Sequence, residues 1–254
     1  MQVLVIMAAI MLATGLALSL INFRFLMYPL MPRLNPFAKA THLSLEGNIL
    51  FISDLHLRAN HSFEYTDNMH KILQQRRVSN LIVVGDLFDS PEDAQEILGV
   101  DGVAALPRIL GAEGLRIALF FVHGSPQHDL DSDRELASHF RLLGECAIIT
   151  CGRLEVVVCH GHDMSRKGMF GHGCDRFIAA LGLERAWKRF AQVPESDWVI
   201  LGHLHIPGLD LEHRVGNCGG WQTIRLLVKP ACTAIFLSPE KASPEIINVA
   251  EIGK

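Results

Sequence analysis

Five short apolar runs in this chain end in side chains that bind metals or move protons. Asn48–Ser53 (NILFIS) leads into Asp54-Leu55-His56, and Asn80–Val84 (NLIVV) into Gly85-Asp86-Leu87-Phe88-Asp89. Arg116–Val122 (RIALFFV) leads into His123-Gly124-Ser125-Pro126-Gln127-His128-Asp129, Leu154–Cys159 (LEVVVC) into His160-Gly161-His162, and Trp198–Leu201 (WVIL) into Gly202-His203-Leu204-His205. Seven of the thirteen histidines fall in these few segments. One Asp-x-His or His-x-His says little, because a lone histidine is usually a satisfied surface or core residue. A series of such ends calls for a common cause.

Imidazole and carboxylate without thiolate suit borderline or hard divalent ions such as Mn, Fe or Zn. The donor set is too large for one tetrahedral zinc. Two cations about 3.5–4 Å apart, sharing a carboxylate, would stabilise both the entering and the leaving oxygen of an in-line displacement. The Gly85-Asp86 turn supplies the bridging candidate, since glycine lets backbone segments approach closely. Neither a Gly-x-Ser-x-Gly elbow nor a phosphate-cradling P-loop is present, so a metal-activated hydroxide is the expected nucleophile.

Positioning such groups requires elements that deliver them to one place. The apolar runs alternate with stretches of helical spacing, Tyr65–Arg76 and Arg134–Leu143, which is the signal of an α/β fold. In that class the strand ends converge on one sheet edge, where ligands bind. Ala147–Thr150 reads as a further strand, joined to Leu154–Cys159 by a hairpin turn at Cys151-Gly152-Arg153. Thr223–Val228, Thr233–Leu237 and Glu245–Val249 predict closing antiparallel strands. With 254 residues, 49% hydrophobic and 20% charged, the chain has ample material for a core and is not a disordered protein. A net charge of -4 without a Lys/Arg cluster argues against nucleic acid as partner. The six cysteines contain no C-x-x-C pair and read as thiols in a reduced compartment, disulfides being unneeded in a chain of this length.

Residues 1–22 are expected to be a transmembrane anchor. Val3–Ile21 has 19 residues without a charge; as a helix it would reach about 28 Å, close to a bilayer's hydrocarbon core. It lacks the basic start of a signal peptide and the polar stripe of a buried helix. The following flank carries aromatics and only positive charge (Arg24, Arg33, Lys39), so the positive-inside bias predicts a single-pass protein with its catalytic bulk in the cytoplasm. Residues 23–41 read as a juxtamembrane linker and 42–254 as one domain, with Asp175–Phe190 an amphipathic helix or lid.

The ordered series Asp-x-His, Gly-Asp-x-x-Asp, His-Asp, His-Gly-His and Gly-His-x-His resembles the calcineurin-like metallophosphoesterase superfamily. The resemblance implies a two-sheet β-sandwich flanked by helices, two divalent metals (Mn first, Fe or Zn as alternatives), and hydrolysis of phosphoesters or pyrophosphates. By resemblance, Asp54, His56, Asp86 and His205 hold one metal, and Asp86 bridges to a second that takes His160 and His203. His128 assists the leaving group and Asp129 orients it. The third motif departs from the family's Gly-Asn-His-Asp; Gln127 is the expected replacement ligand, with water or Ser125 as the alternative. Arg58 is a candidate phosphate contact, while His123, His162 and Asp89 read as structural or loop-shaping. Asn217-Cys-Gly-Gly-Trp221 is similar to a segment of UDP-diacylglucosamine hydrolases, which makes Asn217 a candidate substrate contact and a lipid- or nucleotide-linked phosphate the preferred substrate, ahead of a small soluble phosphate compound. A scaffold that has lost catalysis is the remaining alternative.

Overall fold

The computed structural model describes residues 25–61, 63–100, 105–129, 136–164, 180–222 and 230–252. Side-chain alternation in its central strands explains the layering. In β2 (Asn48–Ile52), Ile49 and Phe51 lie in one core cluster, Leu50 and Ile52 in another, and all four are fully buried. In β3 (Val78–Val84), Ile82 and Val84 oppose Leu81 and Val83 in the same way. A strand apolar on both faces must be covered on both, here by a second sheet on one side and helices on the other.

The first sheet adds β4 (Ala118–Val122) and the short β5 (Arg141–Leu142) in parallel to β2 and β3. On the other side of β2 run β11 (Thr233–Leu237) and β12 (Glu245–Asn248), which are antiparallel as the sequence suggests. Its order is β12-β11-β2-β3-β4-β5. The second sheet, in the order β1-β6-β7-β8-β10-β9, contains β1 (Thr41–Ser44), β6 (Cys146–Cys151), β7 (Leu154–Cys159), β8 (Trp198–Leu201), β9 (Gly208–Asp210) and β10 (Val215–Asn217). Phe51, Ile82 and Val122 of one sheet meet Ile149, Val158 and Trp198 of the other in the shared core. Helices α1 (Thr66–Gln75), α2 (Pro91–Val100) and α3 (Ala105–Ile109) supply the apolar cover of the first sheet through Met69, Leu98 and Leu106. Helix α4 (Gly182–Phe190) covers the second through Trp187, whose Nε1 donates to Asp163 at 3.1 Å. Asp163 is therefore a buried anchor for this helix.

Several expectations change. The anchor segment 1–22 lies outside the described residues, among which no helix is long and apolar enough to cross a membrane. The stretch expected as a linker docks on the domain at several points: Tyr28 is buried, Leu34 and Phe37 lean on the core under α4, and the Asn35 amide donates to the Ala191 carbonyl at 2.9 Å. Arg134–Leu143 is not one helix; its described part makes a single turn at Leu136–Phe140 and then enters β5, because Leu143 and Phe121 pair through their backbones. Residues 223–228 and the start of the expected lid lie outside the described residues. Cys151, Cys218 and Cys232 are buried thiols, but Cys146 and Cys159 form a disulfide, since the β6–β7 hairpin register sets them directly opposite each other.

Removing the Phe51 ring from the inter-sheet core should cost about 3–5 kcal/mol in Phe51→Ala. The exposed Leu211→Ala should change stability by less than about 0.5 kcal/mol. Denaturant unfolding of the two variants measures the contrast.

Candidate metal centre

Strands β2, β3 and β4 run parallel, as do β7 and β8, so their carboxyl ends deliver Asp54/His56, Asp86, Gly124–Asp129, His160 and His203/His205 to one edge of the sandwich. The chain leaves these strands in an unusual way. Asp54 (φ 54°), His56 (46°), Asp86 (48°), His203 (67°) and His205 (59°) are all left-handed, a conformation that costs a side-chain-bearing residue roughly 1–2 kcal/mol. Hydrogen bonds across the edge hold them there. Asp54 and His56 donate their backbone N–H to the Gly85 and Asp86 carbonyls, each at 3.1 Å, and the His203 N–H reaches Asp54 Oδ2 at 2.9 Å. Close approach of the loops demands glycine: a Cβ on Gly124 would stand 2.2 Å from the Asp86 nitrogen, and one on Gly85 would stand 2.5 Å from His160 Nδ1.

Two buried groups result. Asp54, His56 and His205 place ligand atoms within 4.8 Å of one another, and so do Asp86, His160 and His203. The groups adjoin, since His160 Nε2 lies 3.2 Å from Asp86 Oδ2 and 4.0 Å from Asp54 Oδ1. His160 Nδ1 faces the Val84 carbonyl at 2.9 Å, which turns Nε2 toward the carboxylates. The donors fit a pair of divalent cations. His56 and His205 stack at 13° with their Nε2 atoms 3.4 Å apart, an arrangement of two imidazoles that calls for a proton or a cation between them. The titration behaviour agrees. Burial lowers His203 to about 3 and His56 to about 4, leaving neutral rings with lone pairs to give. Burial also opposes charge on His160, yet Asp86 and Asp54 push it up to about 10. Burial raises Asp54, whereas at Asp86 the pull of His160 overcomes burial and keeps it ionised.

Around these groups the remaining expected residues take distinct places. His128 Nδ1 bonds the Asp89 carbonyl at 2.7 Å, so Asp89 and not Asp129 orients the ring; His128 Nε2 is 4.0 Å from Asp86 Oδ2. The Asp129 carboxylate is turned inward, accepting from the backbone N–H groups of Gly124 (2.6 Å), Leu87 (3.0 Å) and Asp86 (3.1 Å). Burial and the neighbouring Asp86 nevertheless raise it to about 7. Asp129 thus fastens two ligand loops together. Gln127 is exposed, while Ser125 is buried and donates to Asp86 through its N–H (2.7 Å) and Oγ (3.2 Å), so the residue at this carboxylate is Ser125. The tight turn after Gly124 brings Ser125 in and leaves Gln127 outside. Arg58 is exposed at the rim with its Nε on Asp89 Oδ2 at 2.8 Å, and Asp89 Oδ1 is 3.6 Å from His56 Nδ1. Asn217 does not face a substrate: fully buried, it donates to Glu184 and the Gly202 carbonyl (2.8 Å each) and accepts from Gly219 N–H, bracing the Gly-His-x-His loop. Glu184, invisible as a functional residue in the sequence, owes this role to the packing of α4 on β10. His162 stacks on His160 at 5.9 Å, and His123 pairs with the Phe121 ring at 5.8 Å.

Residues 48–232 match the family model of the calcineurin-like phosphoesterase superfamily domain. The chain belongs to that superfamily. A search of the curated proteins found no match. Among solved structures, a single mutant of Vps29 from Entamoeba histolytica aligns with 79% of this chain and 97% of its own at 14% identity and a TM-score of 0.45. A novel archaeal phosphodiesterase aligns over 79% and 98% at 16% identity and a TM-score of 0.44. Nuclease MPE of Pseudomonas putida aligns over 78% and 87% at 14% identity and a TM-score of 0.39.

In this phosphoesterase domain Gln127→Ala should leave bound metal unchanged, whereas Ser125→Ala should weaken binding by about 10-fold, the lower end of the effect of losing a group that supports a ligand. Metal analysis during dialysis against graded chelator measures both. Asn217→Ala should lower stability by about 1–3 kcal/mol, because it removes buried hydrogen bonds to Glu184 and to the Gly202 carbonyl; thermal unfolding checks it.

Proposed function

We propose that this chain is a membrane-anchored, metal-dependent hydrolase that cleaves a phosphoester or pyrophosphate bond in a lipid- or nucleotide-linked substrate. The observation that supports it above all is the adjoining pair of buried Asp/His groups, joined through His160. Asp54, His56 and His205 would hold one cation, and Asp86, His160 and His203 the other, with Asp86 shared. Mn suits these donors first, with Fe or Zn as alternatives. When bound, the cations would polarise the phosphoryl group and acidify a water molecule there.

The chain's own residues supply the rest. His128 is partly open to solvent, with Nδ1 tied to the Asp89 carbonyl, so its Nε2 is free to deliver a proton to the leaving oxygen. Arg58, held at the rim by Asp89, would engage a phosphate oxygen. Asp129 keeps the loops of Asp86 and Gly124 in register.

Membrane attachment would rest on Val3–Ile21. The described residues just after it add support: Met27, Leu30 and Met31 are exposed apolar side chains that precede Arg33. The positive flank would favour the cytoplasmic side for the domain. There Cys146 and Cys159 would be held as a dithiol, kept adjacent by the hairpin register in either redox state.

The full-length protein should hydrolyse bis-p-nitrophenyl phosphate, p-nitrophenyl phosphate or a UDP-linked lipid with Mn, lose activity on chelation, and regain it when Mn returns. Silence with every metal would point to a scaffold instead. His128→Ala should lower turnover by about 10²–10⁴-fold while metal content stays the same. The full chain should also pellet with membranes after a high-salt wash; release by salt would overturn the anchor.

A further inference from the structure

The His56 loop does more than carry a ligand. Directly after it, residues 57–61 and Phe63 line a cavity of about 360 Å³, together with Ile97 of α2 and Ile109 of α3. That volume falls in the range of small-molecule sites. Its floor is apolar: Leu57 is buried, and Phe63, Ile97 and Ile109 are half-buried against the core under the helices. The polar lining groups, Arg58, Asn60 and His61, are all exposed and stand at the rim. The wall and the metal centre are tied through one residue. Asp89 donates its N–H to the Leu57 carbonyl at 3.0 Å, accepts Arg58 Nε at 2.8 Å, and lies beside His56 and His128.

We infer that this cavity is the subsite for the hydrocarbon part of the substrate, with Arg58 at its mouth holding the phosphate. The inference rests on the hydrolase reading and narrows it, from lipid- or nucleotide-linked phosphate to an ester whose apolar chain enters this pocket. Two features select that chemistry. A sugar or a base edge brings hydroxyls and ring nitrogens that would lose their water against a floor of Leu, Ile and Phe, which offers no hydrogen bond in return. An alkyl or prenyl chain loses nothing there. The guanidinium is the charge complement: Asp89 engages its Nε, and among the described residues no partner is recorded for its two Nη groups, which remain able to take an anion. Cavity size limits the occupant to part of one chain, so a pair of acyl chains would not be accommodated.

The test uses non-hydrolysable methyl-, ethyl-, butyl- and hexylphosphonate, with 2-hydroxyethylphosphonate as the polar control, titrated calorimetrically into the full-length protein in Mn. Affinity should rise by about four-fold for each methylene that enters the pocket, then level off. The hydroxyethyl compound should bind no better than the methyl one. Ile97→Trp, which fills the cavity, should flatten the series, and Ile109→Ala, which enlarges it, should move the plateau to a longer chain. Equal affinity across the series in the unmodified protein, or a plateau that neither variant moves, would overturn the subsite. Failure of the hydrolase reading is separately visible: the phosphonates would bind with their chain-length trend while p-nitrophenyl phosphate and bis-p-nitrophenyl phosphate go uncleaved with every metal.

Discussion

Asp54 and Asp86 are carboxylates with almost no access to water, and the architecture of the sheet edge follows from the need to balance them. Burying an ion costs several kcal/mol even after a protein relaxes around it. A hydrophobic replacement would be cheaper if stability were the only requirement. The protein instead surrounds the pair with four imidazoles: burial lowers His56 and His203, His205 stacks on His56, and His160 stands between the two carboxylates, which raise its affinity for a proton. An edge of this kind is electrostatically incomplete without cations. That incompleteness is the physical basis for reading it as a metal centre.

Holding the donors together carries a second cost, in backbone conformation. Left-handed residues are tolerated only where the surroundings over-determine them. Here that determination comes from a lattice of short hydrogen bonds linking both sheets: Asp54 to Gly85, His56 to Asp86, His203 to Asp54, and Asp129 to three backbone N–H groups. The rigid inter-sheet core beneath supplies the platform. Each loop is braced by a residue that never touches the centre, as Asn217 and Glu184 brace the Gly-His-x-His loop. Core, strain and chemistry are therefore one arrangement, in which the packed sandwich stabilises backbone geometry that the loops alone would not adopt.

The strands that carry ligands were legible because their chemistry and their hydrophobicity coincide: an apolar run followed at once by Asp or His marks both the element and its end. Short strands such as β9 and β10 were not legible, since three residues carry no periodicity and Gly216 lacks a β-preferring side chain. The segment 25–40 looked like a linker because its three prolines break any periodicity that could be read, although Tyr28 and Asn35 dock firmly. Cys146 and Cys159 are thirteen residues apart, and only the hairpin register makes them neighbours.

By itself the sequence determined which residue types would meet a metal, in what order, and on what kind of fold, because ligand chemistry and strand periodicity are local properties that survive without coordinates. The roles within the site were decided by tertiary structure alone. Whether Gln127 or Ser125 faces Asp86, whether Asp129 or Asp89 orients His128, and whether Asn217 meets substrate or protein all depend on which way a loop turns after its strand. Such turns are set by contacts with other segments, from 39 residues away for Ser125 on Asp86 to 149 for His203 on Asp54, and nothing in the neighbouring sequence encodes them.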